Sequence, residues 1–164
     1  MQCVTAFHYS DVRVARMVHA LKYDFVTKSA PALASCMVRA WNEYGGSLQG
    51  LCVPIPLHSS RRNERGFNQA ELLAQECSRE IGFTFYDNVL IRSRATPPQT
   101  ELSREDHTSN IRDAFSCTLP DIVRGNDIVL VDDVYTTCAT LQEAARVLKE
   151  CGAQNIQALT FAHG

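Results

Sequence analysis

The residues best suited to chemistry in this chain are two adjacent carboxylates followed by a cluster of hydroxyls. Asp132 and Asp133 come directly after the apolar run 128–131. The hydroxyls belong to Thr136, Thr137 and Thr140, where an amphipathic helix is predicted to begin. The first N–H groups of a helix and its positive dipole end bind anions. Carboxylates beside such a site accept hydrogen bonds from ribose hydroxyls or face Mg²⁺ through water. The pattern therefore predicts a sugar phosphate ligand.

A second polar stretch, after the apolar run 51–55, is rich in arginine. It contains Arg61, Arg62 and Arg65, and the whole chain has 13 Arg but only 3 Lys. The planar guanidinium group suits bidentate contacts with phosphate. Both polar stretches also have a purely structural interpretation, in which the acids end a strand, Thr140 caps a helix and the arginines belong to a solvated loop.

Apolar periodicity predicts the elements that must position these residues. Strands are predicted at 4–9, 51–55, 127–131 and 156–161, with one or two more in 83–91. Helices are predicted after Ser10, from Ser29 to Gly45, at 68–82 and at 140–151, whereas 92–99 has the composition of an exposed segment. Alternating strands and helices predict a parallel sheet covered by helices. Ligands bind such sheets at the carboxyl ends of the strands, so the loops after Ile55 and Val131 are the expected site.

The composition of the 164 residues, 45% hydrophobic and 21% charged, predicts one globular domain. Within it we distinguish an N-terminal helical part, 1–46, from a core, 47–164. The net charge of -2 argues against a protein that coats nucleic acid. Seven cysteines without a Cys-x-x-Cys spacing predict neither a disulfide framework nor a zinc knuckle and fit a reducing cytoplasm. No signal peptide or membrane span is predicted.

The acidic stretch resembles the fingerprint of type I phosphoribosyltransferases, in which an apolar strand, two acids and two further residues precede a five-residue hydroxyl loop. The resemblance implies a mainly parallel α/β fold with a flexible hood, and phosphoribosyl pyrophosphate (PRPP) as ligand. It implies that Asp132 and Asp133 are catalytic and face Mg²⁺. The implied PRPP-binding loop consists of Thr136, Thr137, Cys138, Ala139 and Thr140.

Further motifs resemble the ComF competence family of phosphoribosyltransferases. They occur in the same order at 21–23, 53–58, 61–62, 65–74, 98–100, 102–103, 110 and 114–115, so the resemblance spans nearly the whole chain. More distantly, the chain resembles the transferase domain of glutamine amidophosphoribosyltransferase. The resemblance implies a glycosyltransferase linked to natural transformation and DNA uptake. Two alternatives stay open: a PRPP-binding regulator without turnover, and an accessory protein of the uptake machinery.

The ComF resemblance also implies roles for two loops. Residues 56–60 would present backbone N–H groups to the pyrophosphate, and Arg61, Arg62 and Arg65 would balance its charge. Within that loop, the residues implied to bind PRPP are Pro56, Leu57 and His58. Residues 92–112 would form the hood, which excludes water from a cationic sugar intermediate. The hood residues implied to reach the ligand are Gln99, Arg104, His107 and Asn110.

Three departures from the family pattern bear on function. Cys138 stands where the family usually has glycine, so its Cβ is expected to crowd the phosphate; its thiol is either activated by the helix end or buried and inert. His107 stands in place of a common arginine. Only Cys3 precedes the first predicted helix, so the family's cysteine-rich leader is expected to be absent, truncated or supplied by another chain. No basic stripe with interleaved aromatics is visible, so direct nucleic-acid binding is not predicted.

Overall fold

The computed structural model describes residues 1–23, 27–94 and 111–164. The strands are β1 (Gln2–His8), β2 (Leu51–Pro54), β3 (Thr84–Phe85), β4 (Leu90–Arg92), β5 (Phe115–Cys117), β6 (Ile128–Tyr135) and β7 (Ile156–His163). Five of them form one parallel sheet in the order β1-β7-β6-β2-β3, and β4 pairs with β5 in a separate two-stranded antiparallel sheet. The predicted parallel sheet is confirmed.

Helices cover both faces of this sheet. They are α1 (Val12–Tyr23), α2 (Ala30–Glu43), α3 (Ser59–Arg65), α4 (Gln69–Ile81), α5 (Pro120–Val123) and α6 (Ala139–Glu150), with a 3₁₀ turn at Thr27–Ser29. Buried residues of α1, α2 and α4 form one hydrophobic core with Val129 and Val131 of β6. Buried residues of α6, β4 and β5 form a second core with Ile128 and Leu130. None of the described helices is both long and apolar enough to cross a membrane.

The central strand β6 explains why its sequence is uninterruptedly apolar before the acids. Ile128 and Leu130 face one core, Val129 and Val131 face the other, and all four are fully buried. A strand that is covered on both faces needs apolar residues at every position rather than at alternate ones. The two acids that follow continue the alternation and therefore point to opposite faces of the sheet.

The structure differs from the sequence-based prediction beside both polar stretches. Residues 59–65, predicted as a polar loop, form the helix α3, which begins when His58 accepts a hydrogen bond from the Ser60 N–H and ends at Gly66. No residue of α3 is buried, so it has no apolar stripe by which the sequence could show it. Strand β6 runs past Val131 to Tyr135 because its pairing with β7 continues to His163, so both acids lie inside the strand.

The predicted hood falls largely on residues outside the described part of the chain, including Gln99, Arg104, His107 and Asn110. The described flanks of that segment are tied to each other and to α6. Arg94 Nη2 donates to the carbonyl of Arg112 at 2.8 Å. The Asp113 N–H donates to Glu143 Oε1 at 2.7 Å, and Arg146 Nη2 donates to Asp113 Oδ1 at 3.0 Å. The described base of the predicted hood is therefore tied to α6.

Glu143→Gln is expected to lower the free energy of unfolding at pH 7 by about 1–3 kcal/mol, because the buried carboxylate accepts hydrogen bonds from Arg146 and Asp113. Those hydrogen bonds hold the pKa of Glu143 below its ordinary value of 4.5. A carboxyl group whose pKa is lower in the folded than in the unfolded protein stabilises the fold at pH values above its unfolded-state pKa. This stabilisation is lost as the pH falls through the folded-state pKa. Urea unfolding should therefore show the difference at pH 7 and a smaller one below about pH 4.

Glu150→Gln is the matched control for that experiment. Glu150 bonds the same Arg146 at 2.6 Å, but it is exposed. Exposed ion pairs contribute little, so its loss should stay below about 0.5 kcal/mol. Equal losses of unfolding free energy in the two variants would show that the buried hydrogen bond from the Asp113 N–H to Glu143 stabilises the fold no more than the exposed ion pair does.

Candidate active site

The carboxyl ends of β2 and β6 lie side by side at one edge of the sheet. The two strands pair from Leu51↔Ile128 to Pro54↔Val131, and the Ile55 N–H donates to the Val131 carbonyl at 2.8 Å. The loop 56–58 and the end of β6 therefore emerge together. This is the edge at which the sequence predicts the site.

Asp133 lies inside the protein at this edge and is only 3% exposed. Its Oδ2 is 2.6 Å from Nζ of Lys22 on α1, and its Oδ1 accepts a hydrogen bond from Gln69 Nε2 of α4 at 3.4 Å. Burial alone would lower the pKa of Lys22, but the charge and hydrogen bond of Asp133 outweigh it and raise that pKa. Both carboxylate oxygens of Asp133 thus face protein groups.

Asp132 points to the other face of β6 and stays partly exposed. Its Oδ1 accepts a hydrogen bond from the Asp133 N–H at 2.8 Å. Burial and the neighbouring charge of Asp133 raise the pKa of Asp132 well above its ordinary value. Asp132 lines a small cavity together with Val134, Tyr135, Thr136, Cys138, Ala139 and Thr140. Of the two acids, Asp132 is therefore the one that faces the hydroxyl loop.

The hydroxyl loop connects β6 to α6. Thr136 and Thr137 are exposed, Cys138 is partly buried, and α6 begins at Ala139. Cys138 has a left-handed backbone, with φ 57°, which confirms that the position suits glycine. The cavity at the loop measures about 20 Å³, room for about one water molecule. A phosphate group therefore fits only if the loop moves outward or the group binds above it.

The surroundings of Cys138 favour a buried, inert thiol over an activated one. Burial raises its pKa. A raised pKa leaves less thiolate at neutral pH, and thiolate is the reactive form. The expectation of a thiol activated by the helix end is therefore not supported.

The three predicted pyrophosphate arginines lie on α3, directly after the loop 56–58. Arg62 Nη2 is 3.1 Å from Glu71 Oε2, and Arg65 Nη1 donates to Gln69 Oε1 at 2.5 Å. Arg61 and Arg65 are partly buried, whereas Arg62 is exposed. Positive charge is thus concentrated beside the acidic pair, and Arg65 reaches Asp133 through Gln69.

A second cavity, about 570 Å³, lies elsewhere. It is lined by residues at the amino ends of β1 and β7 and along the last turns of α6, among them Gln2, Ile156 and Lys149. Parallel sheets bind ligands at the opposite edge. We therefore place the candidate site at the small cavity that contains Asp132, where the polar groups converge.

Residues 64–164 match the family model for the phosphoribosyl transferase domain. The chain belongs to the phosphoribosyltransferase family. It is 37% identical over 145 residues to DNA utilization protein YhgH of Salmonella typhimurium, which accounts for 86% of this chain and 63% of that protein. Against competence protein F of Haemophilus influenzae it is 37% identical over 110 residues, 64% of this chain and 46% of that protein.

A third relative, competence protein ComFC of Bacillus subtilis, is 38% identical over 111 residues, covering 66% of this chain and 42% of that protein. The predicted ComF membership is confirmed. The chain spans less than two thirds of the length of these relatives.

Solved structures support the fold. Glutamine phosphoribosylpyrophosphate amidotransferase from B. subtilis superposes with a TM-score of 0.53 and 17% identity, covering 81% of this chain and 26% of that one. A structure described as the allosteric regulatory enzyme of purine biosynthesis gives a TM-score of 0.50 and 17% identity, covering 80% and 25%. The type I phosphoribosyltransferase fold is therefore confirmed.

Magnesium fits the candidate site in a limited way. Among the described residues there is no group of three His, Cys, Asp or Glu side chains that could hold a metal ion. Asp133 already has both oxygens engaged, which leaves the Asp132 carboxylate. Mg²⁺ commonly keeps several waters and binds through one or two carboxylates plus substrate phosphates. Asp132 together with ligand oxygens meets that requirement.

Sequence reasoning gave three residues that hold the candidate site together no part in that site. Buried Asn68 donates from Nδ2 to the Ile55 carbonyl at 3.0 Å and accepts from the Ala70 N–H at 3.1 Å, so it joins the end of β2 to the start of α4. Gln69 and Lys22 hold Asp133. An Asn before a helical apolar pattern is a recognisable cap, but the contacts to Ile55 and Asp133 depend on tertiary structure.

Proposed function

We propose that this protein is a magnesium-dependent phosphoribosyltransferase that binds PRPP between the loops that follow β2 and β6. The observation that carries the proposal is the convergence at one edge of Asp132, the hydroxyl loop at the start of α6 and the arginine-bearing α3. The 5-phosphate would lie at 136–140, the ribose hydroxyls at Asp132, and the pyrophosphate toward 56–58 and Arg61, Arg62 and Arg65. Each ligand group then faces chemistry that complements it.

The proposed reaction is a displacement at C1 of the ribose. An acceptor lone pair forms a bond to C1, the bond from C1 to the pyrophosphate oxygen breaks, and pyrophosphate leaves with that electron pair. The acceptor then loses its proton to solvent. Positive charge develops on the sugar in the transition state, and the negative carboxylate of Asp132 stabilises it. Bound Mg²⁺ would neutralise the leaving pyrophosphate. The chain supplies positioning and charge rather than a covalent nucleophile.

We place this activity in competence or DNA uptake, in the cytoplasm. The support is the names of the relatives, a DNA utilization protein and two competence proteins, on a shared domain. Partners in the uptake machinery belong to the same proposal. Direct binding of nucleic acid is not part of it, because the chain carries a net charge of -2.

Calorimetric titration with PRPP should show saturable binding that requires Mg²⁺. Pyrophosphate release should then be measured with a panel of acceptors: nucleobases, ammonia and simple amines. Release with at least one acceptor supports the enzyme. An absence of PRPP binding, with and without Mg²⁺, would reject the proposal entirely.

One observation favours a second candidate, a regulator that binds PRPP without turnover. Cys138 lines the small cavity of the hydroxyl loop at a left-handed position suited to glycine, so a phosphate group bound above the loop would be held less closely than positioning for turnover requires. Binding without release of pyrophosphate under every acceptor condition would select this candidate over the enzyme.

A further inference from the structure

Lys22 contacts the acidic pair from a distant part of the chain. It lies in the last turn of α1, outside the residues 64–164 that match the family model. The inward stripe of α1, Val14, Val18 and Leu21, is buried in the first core and fixes the helix on the sheet. From that fixed position the Lys22 ammonium reaches the carboxylate of Asp133.

We propose that Lys22 is a positioning residue that gives the two acids different roles: it holds Asp133 inside the protein, so that Asp132 alone binds the ribose hydroxyls. The proposal rests on the proposed function, since it concerns how the same site recognises ribose. It assigns a part of that site to the N-terminal helix.

The contacts of the two acids support these different roles. Asp133 is held on both oxygens, by Lys22 at 2.6 Å and by Gln69 at 3.4 Å, and has almost no exposed surface. Asp132 is partly exposed and lines the cavity of the hydroxyl loop. Because the two residues are adjacent in one strand, the position of Asp133 also fixes the end of β6 that carries Asp132.

A second line of contacts supports the same role. Arg65 on α3 donates to Gln69 at 2.5 Å, and Gln69 donates to Asp133, so the helix that bears the proposed pyrophosphate arginines meets the same carboxylate. Asp133 therefore joins α1, α3 and α4 to β6. Removing the Lys22 ammonium would leave a buried carboxylate without its cation, which is strongly unfavourable, so the strand end is expected to rearrange.

The test compares ribose 5-phosphate with 2-deoxyribose 5-phosphate, which lacks one of the hydroxyls that Asp132 would bind. The wild type should bind ribose 5-phosphate about tenfold more tightly, the size expected for a hydrogen bond to a charged group. Lys22→Met keeps the length of the side chain but removes the charge, and should reduce this preference to about twofold or less. Lys22→Arg restores the positive charge and should recover most of the preference. Lys149→Met is the matched control, because Lys149 is an exposed lysine at the far end of α6 that bonds the Gln154 carbonyl.

Three outcomes would overturn the inference. An unchanged preference in Lys22→Met would show that the ion pair is only structural, and so would an equal loss of affinity for both sugars. A loss for PRPP much greater than that for ribose 5-phosphate would show that Lys22 contacts the pyrophosphate directly. If Lys22→Met fails to fold, the double variant Lys22→Met/Asp133→Asn removes the unpaired charge, and the inference requires it to prefer ribose less than the wild type does. If the wild type binds neither sugar phosphate nor PRPP, the proposed function itself fails.

Discussion

Asp132→Asn is expected to weaken the binding of PRPP about 30- to 100-fold while leaving the fold intact. The substitution preserves size and the acceptor oxygen that receives the Asp133 N–H, but it removes the charge that faces the cavity. Hydrogen bonds to charged groups contribute about 1.5–3 kcal/mol, and 1.4 kcal/mol corresponds to a factor of ten. Calorimetric titration with PRPP and Mg²⁺ measures the change directly.

The same variant should not lose stability. Burial and the charge of Asp133 raise the pKa of Asp132, so its ionised form is disfavoured in the folded protein without ligand, whereas bound Mg²⁺ would favour that form. A group with a raised carboxyl pKa weakens the fold as the pH rises past its unfolded value. Replacing Asp132 by a neutral side chain should therefore leave the free energy of unfolding unchanged or higher at neutral pH. Urea unfolding of both proteins tests the sign.

Asp133→Asn is the neighbouring control and should show the opposite pattern. Its side chain holds Lys22 and Gln69 rather than facing the cavity, so the variant should lose stability, by about 1–3 kcal/mol, and lose less affinity than Asp132→Asn. The two acids have the same chemistry and adjacent positions, so the two variants differ only in the face of β6 from which the charge is removed. Equal losses of affinity in both variants would contradict the assignment of the ligand to Asp132.

The outcome at the acidic pair shows how far sequence reasoning reaches. The apolar run and the two acids predicted the strand and the edge at which the candidate site lies. Period-two alternation also places Asp132 and Asp133 on opposite faces once the strand is known to continue. That continuation was missed, because polar residues after an apolar run are the usual sign that a strand ends. Pairing with β7 as far as His163 is what extends β6.

Helix α3 was missed for a different reason. Hydrophobic periodicity reveals a helix only when one face packs against a core, and α3 buries none of its residues. Its local signals, the cap at His58 and the left-handed Gly66, are weaker than an apolar stripe. Its arginines were nevertheless predicted at the correct edge, since their place depends on the end of β2 rather than on the conformation of 59–65.

Long-range contacts could not be predicted at all from spacing. Lys22 and Asp133 are far apart in sequence, and nothing in the pattern of α1 distinguishes Lys22 from an exposed lysine at a helix end. The resemblance to the ComF family included 21–23, but it supplied no partner for this side chain. Only the packing of α1 on the sheet brings the ammonium to the carboxylate.

Replacements at Cys138 are expected to spread the affinity for PRPP over about two orders of magnitude. The left-handed conformation of this residue, φ 57°, costs an L-residue about 1–2 kcal/mol and costs glycine almost nothing. Since the cavity of about 20 Å³ holds no phosphate, binding requires the loop to rearrange, and a Cβ restricts both that movement and the approach of phosphate to the backbone. Cys138→Gly should therefore tighten binding about fivefold, and Cys138→Val, with a β-branched side chain, should weaken it about tenfold or more.

Cys138→Ala separates the two features of the native side chain. Alanine keeps the Cβ and the backbone restriction but lacks the thiol, whose pKa is raised by burial. If the Cβ limits binding, the alanine variant should match the wild type while the glycine variant binds more tightly. An alanine variant as tight as the glycine variant would assign the effect to the sulfur instead. An unchanged dissociation constant in Cys138→Gly would mean that the loop already accepts phosphate, and the departure from glycine would then favour neither the enzyme nor the regulator.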